Sequence, residues 1–257
     1  MDIYTKDCDW FINKVKKDEF FSYTRWNDGE WFCMEGKPGA NCDGQRYYPQ
    51  LGRLLVNALQ KESNRDASKE GKYIFESGLW WKPQALFDKD IINMNIRVPF
   101  LKGAITTSIW QNPSKWIDLI QTLNGKTVVV IGPAYLKKYK PLRYKHFIEI
   151  PHTNCITHAK KVISQIRTLD GKVGDAHKNI VFVFAASMAT NVIVDHLFED
   201  FKDKHFMLDF GSAFDIFIED PIFTGGNTGE GRRRSTARGS NRKAILDKYP
   251  KEWRSFS

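Results

Sequence analysis

In the run FSYTRWNDGEW, residues 21–31, an Arg, an Asp and a Glu fall within the six positions from Arg25 to Glu30. Asp28 and Glu30, separated by one Gly, can face a single point if the chain is extended or tightly turned there, and two hard carboxylates suit Mg²⁺ or Mn²⁺. An ion held that way keeps several waters and completes its shell with substrate phosphates. The same letters allow a plainer reading, because Asn27-Asp28-Gly29 is also a good hairpin turn. Spacing alone leaves both open.

Three further stretches carry candidate chemistry. In AASMAT, small residues and the Ser187 hydroxyl precede a helix, where free N–H groups and the helix dipole favour an anion, and Gly132-Pro133 marks a similar close turn. Neither is a Walker or G-x-G-x-x-G sequence, so each alone also fits a capped helix packed on a sheet. In LDFGSAFD, Asp209 and Asp215 flank Gly211 and Ser212, a set suited to a ribose or sugar hydroxyl, or to a cap and a surface acid. His152, just after HFIEIP, is the histidine best placed to exchange protons with a substrate, although a lone His is more often structural.

These residues are positioned by an alternation of strands and helices. TVVVIGP (127–133) and NIVFVFAAS (179–187) are near-continuous runs of β-branched and aromatic residues, as in strands buried on both faces. FFSYTRW, YIFES, HFIEIP and HFMLDF read as further strands. Helices are expected over residues 5–19, from Pro49 through LGRLLVNALQKE, over SKWIDLIQTLNGK (114–126) with Ser114 as cap, over NCITHAKKVISQIRTL and over MATNVIVDHLFEDF. KPQALFD adds a helical turn. The predicted class is α/β, a Rossmann-like and mostly parallel sheet flanked by helices. Ligands of such sheets bind at the carboxyl ends of the strands. RWNDGE, IGPAY, AASMAT and DFGSAFD all fall on that edge.

Composition narrows the classes. The chain has 257 residues, 42% hydrophobic and 27% charged, which suits one large soluble domain. No apolar run reaches the roughly 20 residues of a membrane span, and charges interrupt the amino terminus where a signal peptide would be apolar, so a cytoplasmic site of action is expected. Cys8, Cys33, Cys42 and Cys155 show no C-x-x-C pair and are expected as free thiols. From Pro221 to Ser257 nine Lys and Arg face three acids, a net +6 of the total +9, which leaves +3 on residues 1–220. The division is therefore a domain over 1–220 and a basic Gly- and Arg-rich segment over 221–257. Its Arg232 and Arg233, within a cluster continuing to Arg242, could clamp a diphosphate or track a nucleic-acid backbone.

With these residues in place, FSYTRWNDGEW resembles the Arg-aromatic-Asn-Asp-Gly-Glu segment after the first strand of GT-D type glycosyltransferases. NCDGQRYYPQLGRLL, VVVIGPAYL, HFIEIPHTNC, VFAASMATNVIVDHL and LDFGSAFD resemble the successive blocks of GT-D-like proteins from bacterial polysaccharide loci and tailed phages. The resemblance implies that Asp28 and Glu30 hold Mn²⁺ or Mg²⁺ and, through it, the diphosphate of a nucleotide sugar, a UDP-sugar foremost; the carboxylate pair and the helix-start loop add the expectation that Arg25 and the amides near Ser187 stabilise the leaving diphosphate. A hexosyl or pentosyl group would pass to a hydroxyl of a glycan or of a hydroxymethylated base in phage DNA, with His152 or Asp209 as base. The competing class is a non-catalytic nucleic-acid-binding α/β protein. A nicotinamide dehydrogenase lacks support, because the glycine fingerprint is absent.

Overall fold

Strands that are apolar on both faces must be covered on both, and this requirement organises the molecule. The computed structural model describes residues 3–4, 6–41, 44–63, 70–77, 84–102, 105, 108–173, 179–217 and 244–253. Eight strands form one sheet: β1 (Ile3–Tyr4), β2 (Ser22–Arg25), β3 (Tyr73–Glu76), β4 (Phe100–Leu101), β5 (Thr127–Gly132), β6 (His146–Glu149), β7 (Ile180–Phe184) and β8 (Phe206–Asp209), in the order β1-β4-β3-β2-β8-β7-β5-β6. Every described pairing between these strands is parallel. The short strands β1 and β4 give too little periodicity to be read from sequence.

Alternation along the strands divides the core. Val129 and Ile131 of β5, with Ile180, Phe182 and Phe184 of β7, face one layer, built from α2 (Asp28–Met34), α3 (Pro49–Glu62), α4 (Gln84–Asn93), α7 (Ala159–Val173) and α8 (Ala189–Phe201). Val128, Val130, Val181 and Val183 face the other, built from α1 (Cys8–Lys16), α5 (Ser108–Gln111), α6 (Pro113–Asn124) and the turns after β8. Helices on both faces of a parallel sheet make this a doubly wound α/β fold.

Local details differ from expectation for identifiable reasons. The helix expected from Ser114 begins at Pro113, with Asn112 as cap, since Pro is suited to the first helical position. Ser114 instead donates from its hydroxyl to Asn112 Oδ1 at 2.8 Å. The run expected as one helix from Asn154 starts as a 3-10 turn, Cys155–His158, before α7. Of the segment 221–257, residues 221–243 and 254–257 lie outside the described residues, whereas Leu246, Tyr249 and Trp253 are buried in the α1/α6 layer. Tyr249 packs on Phe217 and donates from its hydroxyl to Ile109 O at 2.9 Å, so aromatic burial holds this stretch on the domain. Cys8, Cys33 and Cys155 are free and buried; Cys42 lies outside the described residues.

The placement of α2 depends on one glycine. A Cβ at Gly52 of α3 would stand 2.5 Å from Cys33 O of α2, so the two helix backbones approach as closely as only Gly permits. Gly52→Ala must push α2 away, and overpacking of this kind costs about 1–3 kcal/mol. The melting temperature should fall by roughly 3–10 °C for a domain of this size; an unchanged value by calorimetry would refute the close contact.

Candidate functional site

The chain leaves β2 at Arg25, on the carboxyl edge between β3 and β8, and its backbone there is held by side chains from two other elements. Asp209 Oδ2, at the end of β8, accepts the Arg25 N–H at 3.1 Å. Asn191, on the first turn of α8, donates from Nδ2 to the Arg25 carbonyl at 3.0 Å. The guanidinium turns over β8 and donates from Nη1 to Phe210 O at 3.2 Å. Gly211 has φ +47°, and a Cβ there would overlap Arg25 Nη1, so a side chain at 211 is excluded on two counts. Arg25 Nε and Asn191 Oδ1 are buried with no hydrogen-bond partner among the described residues. Asn191, fully buried, was legible only as a lone polar residue at the start of an apolar helix.

Residues 28–30 form neither a hairpin nor an extended segment; they open α2. The cause is visible in the chain itself: the Glu30 carboxylate reaches back to accept the Asn27 N–H at 2.9 Å, the acidic half of a capping box. Asp28 at the first helical position is exposed, whereas Glu30 at the third is partly buried. Two positions apart on a helix is about 200° around the axis, so the pair does not face one point by local geometry. The charges of Asp209 and Arg25 both act on the Glu30 carboxyl. Burial pushes the Glu30 carboxyl from 4.5 up to about 8, with the charge of Asp209 adding to the rise and that of Arg25 opposing it. Burial likewise raises Asp209 to about 6, against the lowering effect of Arg25 and of backbone N–H donors.

A second strap crosses the edge from the loop after α2. Asn41 donates from Nδ2 to Ser187 Oγ at 2.7 Å and accepts the Gln45 N–H at 3.0 Å, and Arg46 N–H reaches Asn154 Oδ1 at 3.3 Å. Gly29 permits the crossing, since a Cβ there would meet Asn41 Cβ at 3.0 Å. Ser187 holds φ +52° in the turn that opens α8, and Gln45 is fully buried with neither amide atom hydrogen-bonded. Sequence reading had not singled out Asn41 or Gln45.

The other expected site residues spread along the edge. Gly132 has a packing reason, because a Cβ would meet Leu136 Cδ1 at 2.5 Å and Ala185 Cβ at 3.4 Å. His152 is exposed in the loop after β6, three inter-strand spacings from β8, about 14 Å at about 4.8 Å each. The structure does not bring it against the Arg25 cluster at the level of the sheet. Ser212 lies on the 3-10 turn Gly211–Phe217, its side chain outside the described residues. Asp215, on that turn, accepts from Tyr135 Oη at 3.3 Å. Arg232 and Arg233 lie outside the described residues.

Among the described residues no group of three or more His, Cys, Asp or Glu could by itself hold a metal ion. Two hard carboxylates raised by burial, Glu30 and Asp209, nevertheless fit the chemistry of Mg²⁺ or Mn²⁺, which take one or two protein carboxylates and leave the rest of the shell to water and phosphate. The raised carboxyl gives a sign-checked expectation. Without a cation, ionising Glu30 opposes folding, so its contribution is full below about pH 4.5 and is lost as pH rises toward 8. Glu30→Gln keeps an acceptor for Asn27. In the presence of a chelator its melting temperature should exceed that of the parent at pH 9 and show no such gain at pH 4.5; equal differences at both would refute the buried, destabilised carboxylate.

No family model and no curated protein matches the sequence. Solved structures do. A glycosyltransferase (DUF1792) from Streptococcus sanguinis superimposes with a TM-score of 0.59 at 13% identity, over 84% of this chain and 85% of that one. A structure described as the highly conserved domain of unknown function 1792, with a distinct glycosyltransferase fold, gives a TM-score of 0.56 at 13% identity, over 84% and 80%. No helix among the described residues is long and apolar enough to cross a membrane. This chain therefore has the fold of the DUF1792 glycosyltransferase structures.

Proposed function

We propose that this protein is a glycosyltransferase that moves a hexosyl or pentosyl group from a nucleotide-diphosphate sugar, a UDP-sugar in the first instance, to an acceptor hydroxyl. The observation that carries the reading is the cluster of Arg25, Glu30 and Asp209 where β2 and β8 meet at the carboxyl edge, on a fold shared with glycosyltransferase structures. Breaking the bond from sugar to diphosphate develops negative charge on the leaving group, and fixed positive charge at that place lowers the barrier.

Arg25 supplies such charge. Its guanidinium is locked by Phe210 O, and the unpartnered Nε retains a donor for a phosphate oxygen. The opening turn of α8 at Ser187 adds backbone N–H groups and the positive end of a helix dipole. Gln45 and Asn191 bring buried amide atoms whose capacity a bound donor would satisfy. Glu30, with Asp209 or with Asp28, would hold Mn²⁺ or Mg²⁺. When bound, that ion supplies Lewis-acid neutralisation of the diphosphate. Arg232 and Arg233 would add cations from the basic segment.

Of the two base candidates, Asp209 belongs to the cluster and would serve as base where Asp28, not Asp209, joins Glu30 at the ion, its carboxyl at about 6 then able to accept a proton near neutral pH, whereas His152 stands on the outer loop. The acceptor hydroxyl belongs to a glycan or to a hydroxymethylated base of DNA.

Two measurements test this reading. Paired Asp28→Ala and Glu30→Ala should lower UDP-sugar hydrolysis about 100-fold or more in the presence of Mn²⁺, the range seen when charge stabilisation of a leaving group is removed; undiminished, metal-independent turnover would remove the proposal. In the transfer reaction, Asp209→Asn should cost about 100-fold or more, as loss of a general base does, while His152→Ala stays within about threefold. The reverse order would move the base to His152.

A further inference from the structure

The net charge is distributed far more unevenly than its total suggests. Between Lys126 and Leu169 nine Lys and Arg stand against a single acid, Glu149, a net +8; residues 170–220 carry ten acids against four Lys. The positive stretch builds one flank of the molecule: β5, the edge strand β6, the connection between them, and α7. In the connection, KKYKPLRYK (137–145) holds five cations in nine residues. This cluster is as dense as the Arg-rich one beyond residue 230, and it lies within the described fold.

Some of these cations are tied to acids and others are not. Lys137 is paired with Glu149 at 2.8 Å, Arg167 with Asp200 at 2.8 Å and Lys126 with Asp18. Lys140, Arg143, Lys145, Lys160 and Lys161 are exposed and make no ion pair among the described residues. They flank the open edge of β6 on both faces of the sheet. Arg143 and Lys145 sit toward its amino end, where Lys145 N–H bonds Val128 O at 2.8 Å and Arg143 N–H bonds Asn124 Oδ1 at 2.7 Å. Lys160 and Lys161 open α7, beyond its carboxyl end. Four residues of strand alone separate these groups by about 13 Å, too far for one small anion to bridge. Half-buried Tyr144 and Phe147, with ring centroids 5.5 Å apart, lie between them.

Lysines on an edge strand can serve merely to block edge-to-edge pairing. That role does not require cations on α7 or on the connection, so it leaves most of the set unexplained. A rigid polyanion with closely and regularly spaced charge would engage all of them at once, and the phosphate backbone of duplex DNA is such a partner. The acidic stretch 170–220 would repel the same polymer and so orient it. We propose that the β6 flank, with Lys140, Arg143, Lys145, Lys160 and Lys161, is a docking surface for the phosphate backbone of duplex DNA. It extends the reading above on the acceptor side and needs no part of the Arg25 cluster.

The test is fluorescence anisotropy of a labelled, unmodified 20-base-pair duplex with the full chain across a salt series, alongside UDP-sugar hydrolysis. The parent should bind at low salt with log K falling against log [salt] at a slope of about −4, from about −0.9 per phosphate engaged. Lys140→Glu/Arg143→Glu and Lys160→Glu/Lys161→Glu should each weaken binding tenfold or more and flatten the slope by about two. A charge-matched control at the carboxyl end of α1, Lys16→Glu/Lys17→Glu, should change it little, and donor hydrolysis and melting temperature should hold in all three. Three outcomes overturn the surface: equal losses in the control, no loss in the flank variants, or capture of poly-glutamate or an acidic glycan in place of the duplex. Flank-dependent binding by a protein without donor hydrolysis would uphold the surface and overturn the transferase.

Discussion

The site rests on the way the last residue of β2 is held. Arg25 has its N–H taken by Asp209, its carbonyl by Asn191 and its guanidinium by Phe210 O. Arg25 pairs with Glu76 of β3, but on the other side the β2–β8 ladder stops at Tyr23 and Leu208, and buried backbone groups left unpaired there would cost free energy comparable to a lost hydrogen bond. Side chains from β8 and α8 supply those partners, so three elements distant in sequence are fixed to one another at the point where ligands of this fold class bind. The neighbouring residue continues the pattern. Trp26 N–H bonds Glu76 O at 2.7 Å, and its carbonyl accepts from Ser77 Oγ and Trp31 Nε1.

That arrangement carries an electrostatic cost that bears on function. Glu30 and Asp209 are drawn into a region where ionisation is disfavoured, and Arg25 only partly offsets it. Groups so placed are more useful for binding charge than for stability, since a structural role would be met as well by neutral side chains. The unpartnered Arg25 Nε, Asn191 Oδ1 and Gln45 amide point the same way. Polar atoms buried without partners are uncommon in folded proteins, and each calls for an explanation.

Glycine has different work at each position. Gly29 and Gly52 allow close approaches, of Asn41 to α2 and of α3 to α2, and Gly211 combines a left-handed backbone with room for a guanidinium. In Asp28-Gly29-Glu30 the glycine therefore admits a crossing loop and does not reverse the chain. Helix α2 is short, and its hold on the domain comes from the packing of Trp31 and Cys33 and from the contact at Gly52.

By itself the sequence determined the α/β class, the buried strands β5 and β7, most helices, and the four loops that reach the carboxyl edge. Those follow from periodicity and from β-branched runs, which are local properties. Tertiary structure decided the rest. Whether Asn27-Asp28-Gly29 turns or opens a helix depends on a capping bond from Glu30 and on packing against α3, and which charges act on Glu30 depends on where β8 lies. Asn191 and Asn41 could not be singled out, because their partners, Arg25 and Ser187, are more than a hundred residues away in the chain. The positive flank was in the letters all along, yet only the position of β6 at the edge of the sheet turned scattered lysines into one surface.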